Sequence, residues 1–388
     1  MTTQICIQDP DYQASVSLHE ALNAAGEGAT SAAGAYAFVS KGGVDLLMGA
    51  PSFSQMLGRN PVQLIVGMDA ITNEAAIGAL QALQGRHQGL QITAFVHDKK
   101  GTVFHPKVCW FRNDQGGVVV AGSGNLTVGG LRKNREVFSV AKVNADEINL
   151  IEQNWQAWIE SNRENLHPLD SDVVLERAKL NNIRKAVFLD DLENPDVVGE
   201  KQLQEGQVFD AVDAVDAVDA VDAVAAEDLE DWSFDSDAYF LVAEIPKSGK
   251  RWKQANFSLQ TFVDFFGGIR GDNSKRLVLR AIYDSGDYGG LEDRPCVTVA
   301  SDNFRVELEA ASGLDYPAEG RPIGVFVRIS VRMFAYYLSM PGAPSYEILQ
   351  DWLDQNAAAG RNVRRVVSSV GHSPEVIEAT PLARFLKN

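Results

Sequence analysis

The chain has 388 residues, 45% of them apolar, with 52 acidic against 35 basic residues for a formal charge of −17, and three cysteines. That length suits two or three domains with proper cores. No apolar run is long enough to span a bilayer and no basic-then-apolar leader opens the sequence, so a membrane enzyme is not expected and a cytoplasmic protein is. Cys6, Cys109 and Cys296 are far apart and odd in number, which suits reduced thiols and offers no zinc spacing.

Met1 to Glu20 carries mixed signals, with a short helix expected from Ser15 to Ala25. Ala35 to Val39 reads as a strand, and Val44 to Leu57 as a helix broken at Pro51. Val62 to Val66 (VQLIV) is a buried strand, and Asn73 to Leu83 is a helix with Ala75, Ile77, Leu80 and Leu83 on one face. Gln91 to Phe95 is another strand. Strands alternating with helices predict an α/β fold, a sheet with helices on both faces, and ligands in such sheets gather where strand ends meet loops.

Phe104 to Val140 concentrates chemistry-bearing residues: FHPKVCWFRNDQGGVVVAGSGNLTVGGLRKNREVFSV. His105 and Lys107 are two apart, and strand alternation turns both to one side. Val118 to Ala121 is a short apolar strand running into Gly122-Ser123-Gly124-Asn125, where small residues permit a tight turn and Ser123 and Asn125 offer donors. A third strand beginning near Asn134 carries Glu136 among apolar residues, where a carboxylate needs a partner such as an imidazole. A neutral imidazole held by a carboxylate can attack phosphorus. A lysine and an amide donor can stabilise the charge that then develops on the phosphoryl oxygens.

HxK, then GSxN, then a glutamate resembles the active-site pattern of the phospholipase D superfamily, in the single-motif version of small nucleases and BfiI-like restriction endonucleases. The resemblance implies a mixed sheet between helices and no cofactor. It implies His105 as the nucleophile that forms a phosphohistidine, Lys107 and Asn125 holding the phosphate, Glu136 orienting the histidine, and Ser123 assisting. The longer family pattern has an aspartate five residues after the lysine; here that position is Arg112, a departure that leans away from lipid enzymes. One copy of the motif implies a homodimer, through the N-terminal domain, with the site across a two-fold axis and the second His105 as acid and then base.

Ala145 to Arg163 is an amphipathic helix with Ile148, Ile151, Trp155 and Trp158 in one stripe, read as packed on the sheet. Leu166 to Leu189 closes the domain or starts a tether. Residues 183 to 231 hold 15 acidic and 3 basic residues, including five copies of Asp-Ala-Val from Asp210 to Val224 that cannot bury a face. The expected organisation is a catalytic domain over 1–182, an acidic linker over 183–235 and a DNA-recognition domain over 236–388. A minority reading of the linker is an acidic strip that mimics nucleic acid.

In the C-terminal part Ala238 to Ile245 is a strand, and Pro246 to Asn256 (PKSGKRWKQAN) a loop with four basic residues around Trp252. Lys247, Lys250, Arg251, Trp252, Lys253, Gln254 and Asn256, with Arg270, Lys275 and Arg276 close behind, are the expected DNA contacts. Short strands at Arg276 to Ile282, Cys296 to Ala300, Phe304 to Ala310 and Gly324 to Val331 suggest a barrel or barrel-like sheet. A helix follows from Ser345 to Gln355. By resemblance to the BfiI-like enzymes this half would be a mainly β, B3-like reader of double-stranded DNA.

The leading expectation is a metal-independent, sequence-specific endonuclease, with a cognate methyltransferase as a further partner and no membrane partner. The alternatives are a non-specific nuclease, a phospholipase D-type lipid phosphodiesterase, a non-catalytic nucleic-acid-binding protein, and a metal-dependent nuclease using Asp69 with Asp98-Lys99-Lys100.

Overall fold

The structure is a computed structural model that describes residues 1–99, 102–193, 232–247, 252–272, 275–296, 304–358, 360 and 362–387. It divides into two compact units, one of Met1–Asp9 with Ser15–Asp231 and one of Pro10–Ala14 with Trp232–Asn388. The Asp-Ala-Val repeats lie outside the described residues.

The first unit is built on an eight-stranded mixed sheet in the order β1-β7-β6-β5-β2-β3-β4-β8. Its strands are β1 (Thr2–Gln8), β2 (Ser31–Tyr36), β3 (Val62–Gly67), β4 (Leu90–Phe95), β5 (Lys107–Asn113), β6 (Gly116–Gly122), β7 (Glu136–Val143) and β8 (Leu166–Pro168). β2, β3 and β4 run parallel. β5, β6, β7 and β1 then alternate antiparallel outward from β2. This direction pattern brings the ends of β1, β2, β3, β4 and β6 and the starts of β5 and β7 to one edge of the sheet, which is where the polar residues of the HxK and GSGN segments fall.

Helices cover both faces, as the alternation of strands and helices predicts. They are α1 (Leu18–Gly26), α2 (Lys41–Met48), α3 (Pro51–Leu57), α4 (Glu74–Arg86), α5 (Ala145–Ser161) and α6 (Asp172–Glu193). Neighbours on β5 show the division of the core: Phe111 meets Phe53 of α3 edge to face at 5.8 Å, whereas Trp110 packs with Ile148 of α5. Farther along α5, Trp155 and Trp158 lie partly buried against Phe95 and Phe104. Capping chemistry sets several helix starts. Ser17 and Glu20 form a capping box on α1, Asn144 and Glu147 another on α5, and Asn73 caps α4. Helix α6 runs through to Glu193, past the 182 boundary expected for the catalytic domain.

β1 is the strand that the mixed N-terminal signals hide. It is a sheet-edge strand with Ile5 and Ile7 exposed, so its apolar residues do not report a buried face.

The second unit holds a six-stranded mixed sheet, β12-β11-β15-β14-β9-β16, and a two-stranded sheet, β10-β13. The strands are β9 (Tyr239–Glu244), β10 (Gln254–Phe257), β11 (Arg276–Ile282), β12 (Tyr288–Pro295), β13 (Phe304–Glu307), β14 (Ile323–Ser330), β15 (Met333–Ser339) and β16 (Arg365–Ser369). Among the described residues β12 and β16 end the larger sheet. An aromatic-rich core including Phe257, Phe262, Phe265, Phe266, Phe304, Phe326 and Phe334 packs in this unit. Helices α7 (Leu259–Asp264), α8 (Tyr346–Asn356) and α9 (Pro374–Glu378) complete it. Residues 297–300 of the expected Cys296–Ala300 strand lie outside the described residues. Among the described residues no helix is long and apolar enough to cross a membrane.

Candidate active site

His105 stands just outside β5, whose first residue is Lys107, so strand pairing does not hold the histidine. Its neighbours are fastened instead: Phe104 N–H donates to Asp69 Oδ2 at 2.7 Å, and Pro106 C=O accepts from Ala37 N–H at 2.8 Å. The imidazole is exposed, with the ring of the buried Phe38 edge-on at 5.8 Å. Lys107 is buried, and its Nζ lies 2.8 Å from His105 Nε2 and 3.2 Å from Nδ1, over the Phe38 ring at 5.9 Å. An ammonium can only donate, so the ring nitrogen that it meets carries a lone pair. A lone pair is what a nucleophilic imidazole needs.

The GSGN turn continues from β6. Gly122 ends the strand, and Asn125 is buried with its side-chain Oδ1 accepting from Phe38 N–H at 3.3 Å. That bond orients the amide and leaves the Nδ2 donors for an oxygen ligand. The turn is then clamped by backbone pairing, Leu126 N–H to Phe38 C=O at 3.1 Å and Ser40 N–H to Leu126 C=O at 3.1 Å. Behind it, a π-helical turn (Gly129–Lys133) presses against the backbone: a Cβ on Gly130 would stand 2.5 Å from both N and O of Asn125. Only glycine permits that approach. π-turns are rare and recur at functional sites.

Glu136 opens β7 and is buried. The exposed Ser123 hydroxyl donates to its Oε2, and Asn134 Nδ2 donates to Oε1 at 3.3 Å. Donors on both oxygens fix the direction of the carboxylate. Gln8 at the end of β1 supports this corner, donating to the carbonyls of Gly130 at 3.2 Å and Asn134 at 2.9 Å while accepting from Leu18 N–H at 2.7 Å. Beneath it the fully buried Arg132 donates to His19 Nδ1 at 2.8 Å.

All five expected catalytic residues therefore reach the same sheet edge. Phe38, Asn134, Gln8 and Asp69 also shape it. Asn134, two residues before Glu136, had a readable signal in strand alternation; Phe38 and Gln8 had none, because their roles depend on which strands become neighbours.

Arg112, at the position of the longer pattern's aspartate, is at the far end of β5. It forms a bidentate pair with Glu152 of α5, and this hydrogen bond, set against partial burial, raises the guanidinium's pKa further. Asp98 pairs with Arg177 at 3.1 Å, and Lys100 lies outside the described residues. Among the described residues no group of three or more His, Cys, Asp or Glu side chains is placed to hold a metal ion. The cysteines are buried; burial pushes the Cys109 thiol up to about 12, despite a contact with Tyr36.

The expected DNA contacts fare differently. Trp252 is corrected from a DNA contact to a core residue: it is 6% exposed, and its indole N–H donates to Leu314 C=O at 2.9 Å. Lys275 is buried as well. Lys253 pairs with Glu307 at 2.6 Å, and Arg276 with Asp293 at 2.5 Å. Gln254 and Asn256 belong to β10 rather than to a loop, and Asn256 Oδ1 accepts from Arg305 at 3.0 Å. Lys247 and Arg270 are exposed; Lys250 and Arg251 lie outside the described residues.

No protein-family model matches the chain, and no curated protein matches it. Among solved structures it is similar to Nuc from Salmonella typhimurium, a phospholipase D family member, at 18% identity and TM-score 0.32 over 43% of this chain and 96% of that one. It is also similar to NucT from Helicobacter pylori, at 15% identity and TM-score 0.30 over 43% of this chain and 99% of that one. Yeast tyrosyl-DNA phosphodiesterase is similar at 12% identity and TM-score 0.26, over 36% of this chain and 32% of that one. Likeness of this size assigns neither a family nor an activity to this chain.

Proposed function

We propose that the chain is a phosphodiesterase that cleaves DNA without a metal ion, through a covalent bond between phosphorus and His105. The observation that carries the reading is the convergence at one sheet edge of an exposed imidazole, an ammonium 2.8 Å from its Nε2, an oriented amide and a carboxylate bonded on both oxygens. An imidazole nitrogen of His105 attacks phosphorus as the bond to the leaving oxygen breaks, and that oxygen takes a proton from a second acid. Water then attacks phosphorus, the phosphorus–nitrogen bond breaks, and the water's proton passes to the same group acting as base. Lys107 and Asn125 meet the charge that gathers on the non-bridging oxygens.

The second acid is His105 of another copy, in a homodimer made through this unit. Ile5, Ile7 and Val137, respectively 65%, 67% and 51% exposed on the paired strands β1 and β7, offer apolar surface beside Glu136 for such an interface. Recognition of sequence falls to the second unit, in a B3-like manner, with Lys247, Gln254, Asn256 and Arg270 as the remaining contacts among its described residues. A restriction role would require a methyltransferase protecting the same site.

The test is incubation of the purified protein with plasmid and phage DNAs in excess EDTA, with His105→Ala alongside. Discrete fragments from the wild type alone are expected. A smear would demote the second unit to a general DNA grip, and cutting only after magnesium is restored would overturn the metal-free mechanism.

A further inference from the structure

Asp69 is a candidate metal-binding carboxylate by sequence, yet its place in the structure suits a different task. It follows β3, and its two oxygens face opposite ends of the connection between β4 and β5. Oδ2 accepts from Phe104 N–H at 2.7 Å, while Oδ1 lies 3.6 Å from His97 Nε2. His97 Nδ1 accepts from Lys99 N–H at 3.2 Å, so a neutral ring carries its proton on Nε2, towards Asp69. Both side chains are largely shielded, at 17% and 13% exposed. The Phe104 ring stacks on Phe95 with centroids 4.3 Å apart, and a Cβ on Gly67 would come within 2.9 Å of it.

We propose that Asp69, steadied by His97, is a positioning residue for the nucleophile. It clasps the β4–β5 connection and fixes Phe104, and through it the backbone of His105, against the bond from Ala37 to Pro106. The proposal rests on the phosphodiesterase reading above and adds to it a residue outside the HxK, GSxN and glutamate pattern. His105 lies outside any strand, so the angle at which its imidazole meets phosphorus depends on these two backbone anchors.

The experiment compares Asp69→Ala, Asp69→Asn and His97→Gln in the full chain. The readouts are steady-state hydrolysis of bis(p-nitrophenyl) phosphate and amide hydrogen exchange at Phe104 without substrate. Asp69→Ala should lower kcat by about 10²-fold, the scale of a small misplacement of a reacting group, with KM unchanged. It should also speed exchange at Phe104. Asp69→Asn keeps an acceptor for Phe104 N–H and should restore both towards wild type, and His97→Gln should cost less than Asp69→Ala. Unchanged kcat in a folded Asp69→Ala protein would overturn the proposal. Asp69→Asn as inactive as Asp69→Ala would also overturn it, by making the charge itself essential; this arm holds even where the alanine variant fails to fold. A wild type inert towards both this ester and DNA would remove the phosphodiesterase reading, whereas wild-type exchange at Phe104 in a folded Asp69→Ala protein would remove the clasp alone.

Discussion

At the polar edge of the first unit, unlike groups meet: an imidazole with an ammonium, an amide with a backbone donor, a carboxylate with a hydroxyl and an amide. In the second unit many cations meet the fold's own acceptors instead: Lys253 with Glu307, Arg276 with Asp293, Arg364 and Arg321 with Glu244, Arg328 with the carbonyls of Asp264 and Phe265. The difference separates two kinds of sequence signal. A mixed constellation of chemical types at fixed spacing points to one place in the fold, whereas a run of basic residues says nothing about how many are neutralised within it.

Substitutions can break this comparison on either side. The largest effect is expected for His105→Ala, which should lower phosphodiester turnover by about 10⁴-fold or more while leaving thermal unfolding unchanged. Equal turnover would remove the site. Next comes Trp252→Ala, which empties a core position and should destabilise the second unit by about 3–5 kcal/mol, read from denaturant unfolding. Loss of DNA affinity with no loss of stability would return Trp252 to the surface role expected from sequence. Asn125→Ala should lower kcat by about 10²–10³-fold, the scale of one lost oxyanion donor.

A smaller effect concerns Glu292, which burial pushes upward in pKa against lowering bonds from Tyr336, the Glu309 amide and Arg294. A carboxyl raised in the folded state contributes stability below its unfolded value of 4.5 that is lost as pH rises through the folded value. Glu292→Gln should therefore narrow the loss of melting temperature between pH 4 and pH 7, and a gap at least as wide as wild type would contradict the assignment. The smallest effect is expected at Lys253, already paired with Glu307. Lys253→Ala should leave the salt dependence of DNA binding nearly unchanged, whereas a true phosphate contact would lower the slope by about one.

Much of the first unit was readable because its signals are local. Periodicity places β3, β4, α4 and α5 close to where they form, and Ser17, Asn73 and Asn144 mark helix starts through bonds within their own turns. The five residues from His105 to Glu136 were legible for the same reason: all lie within two hairpin connections of one another. β1 was not legible, since an edge strand with exposed Ile5 and Ile7 lacks a buried alternation, and β15 (MFAYYLS), buried throughout, lacks one for the opposite reason.

By itself, then, the sequence determined an alternating α/β first unit, the identity of the HxK, GSxN and glutamate residues, and the acidic segment that sets the net charge, since each depends on neighbours in the chain. Tertiary structure alone decided what long-range pairing controls. It placed β2 beside β5, so that Phe38 could orient Asn125, and brought Asp69 to the backbone beside His105. It also buried Trp252 and matched Lys253, Arg276, Arg321 and Arg364 with carboxylates. Hydrogen bonds and ion pairs of this kind depend on which strands become neighbours in space, and no spacing along the chain encodes that.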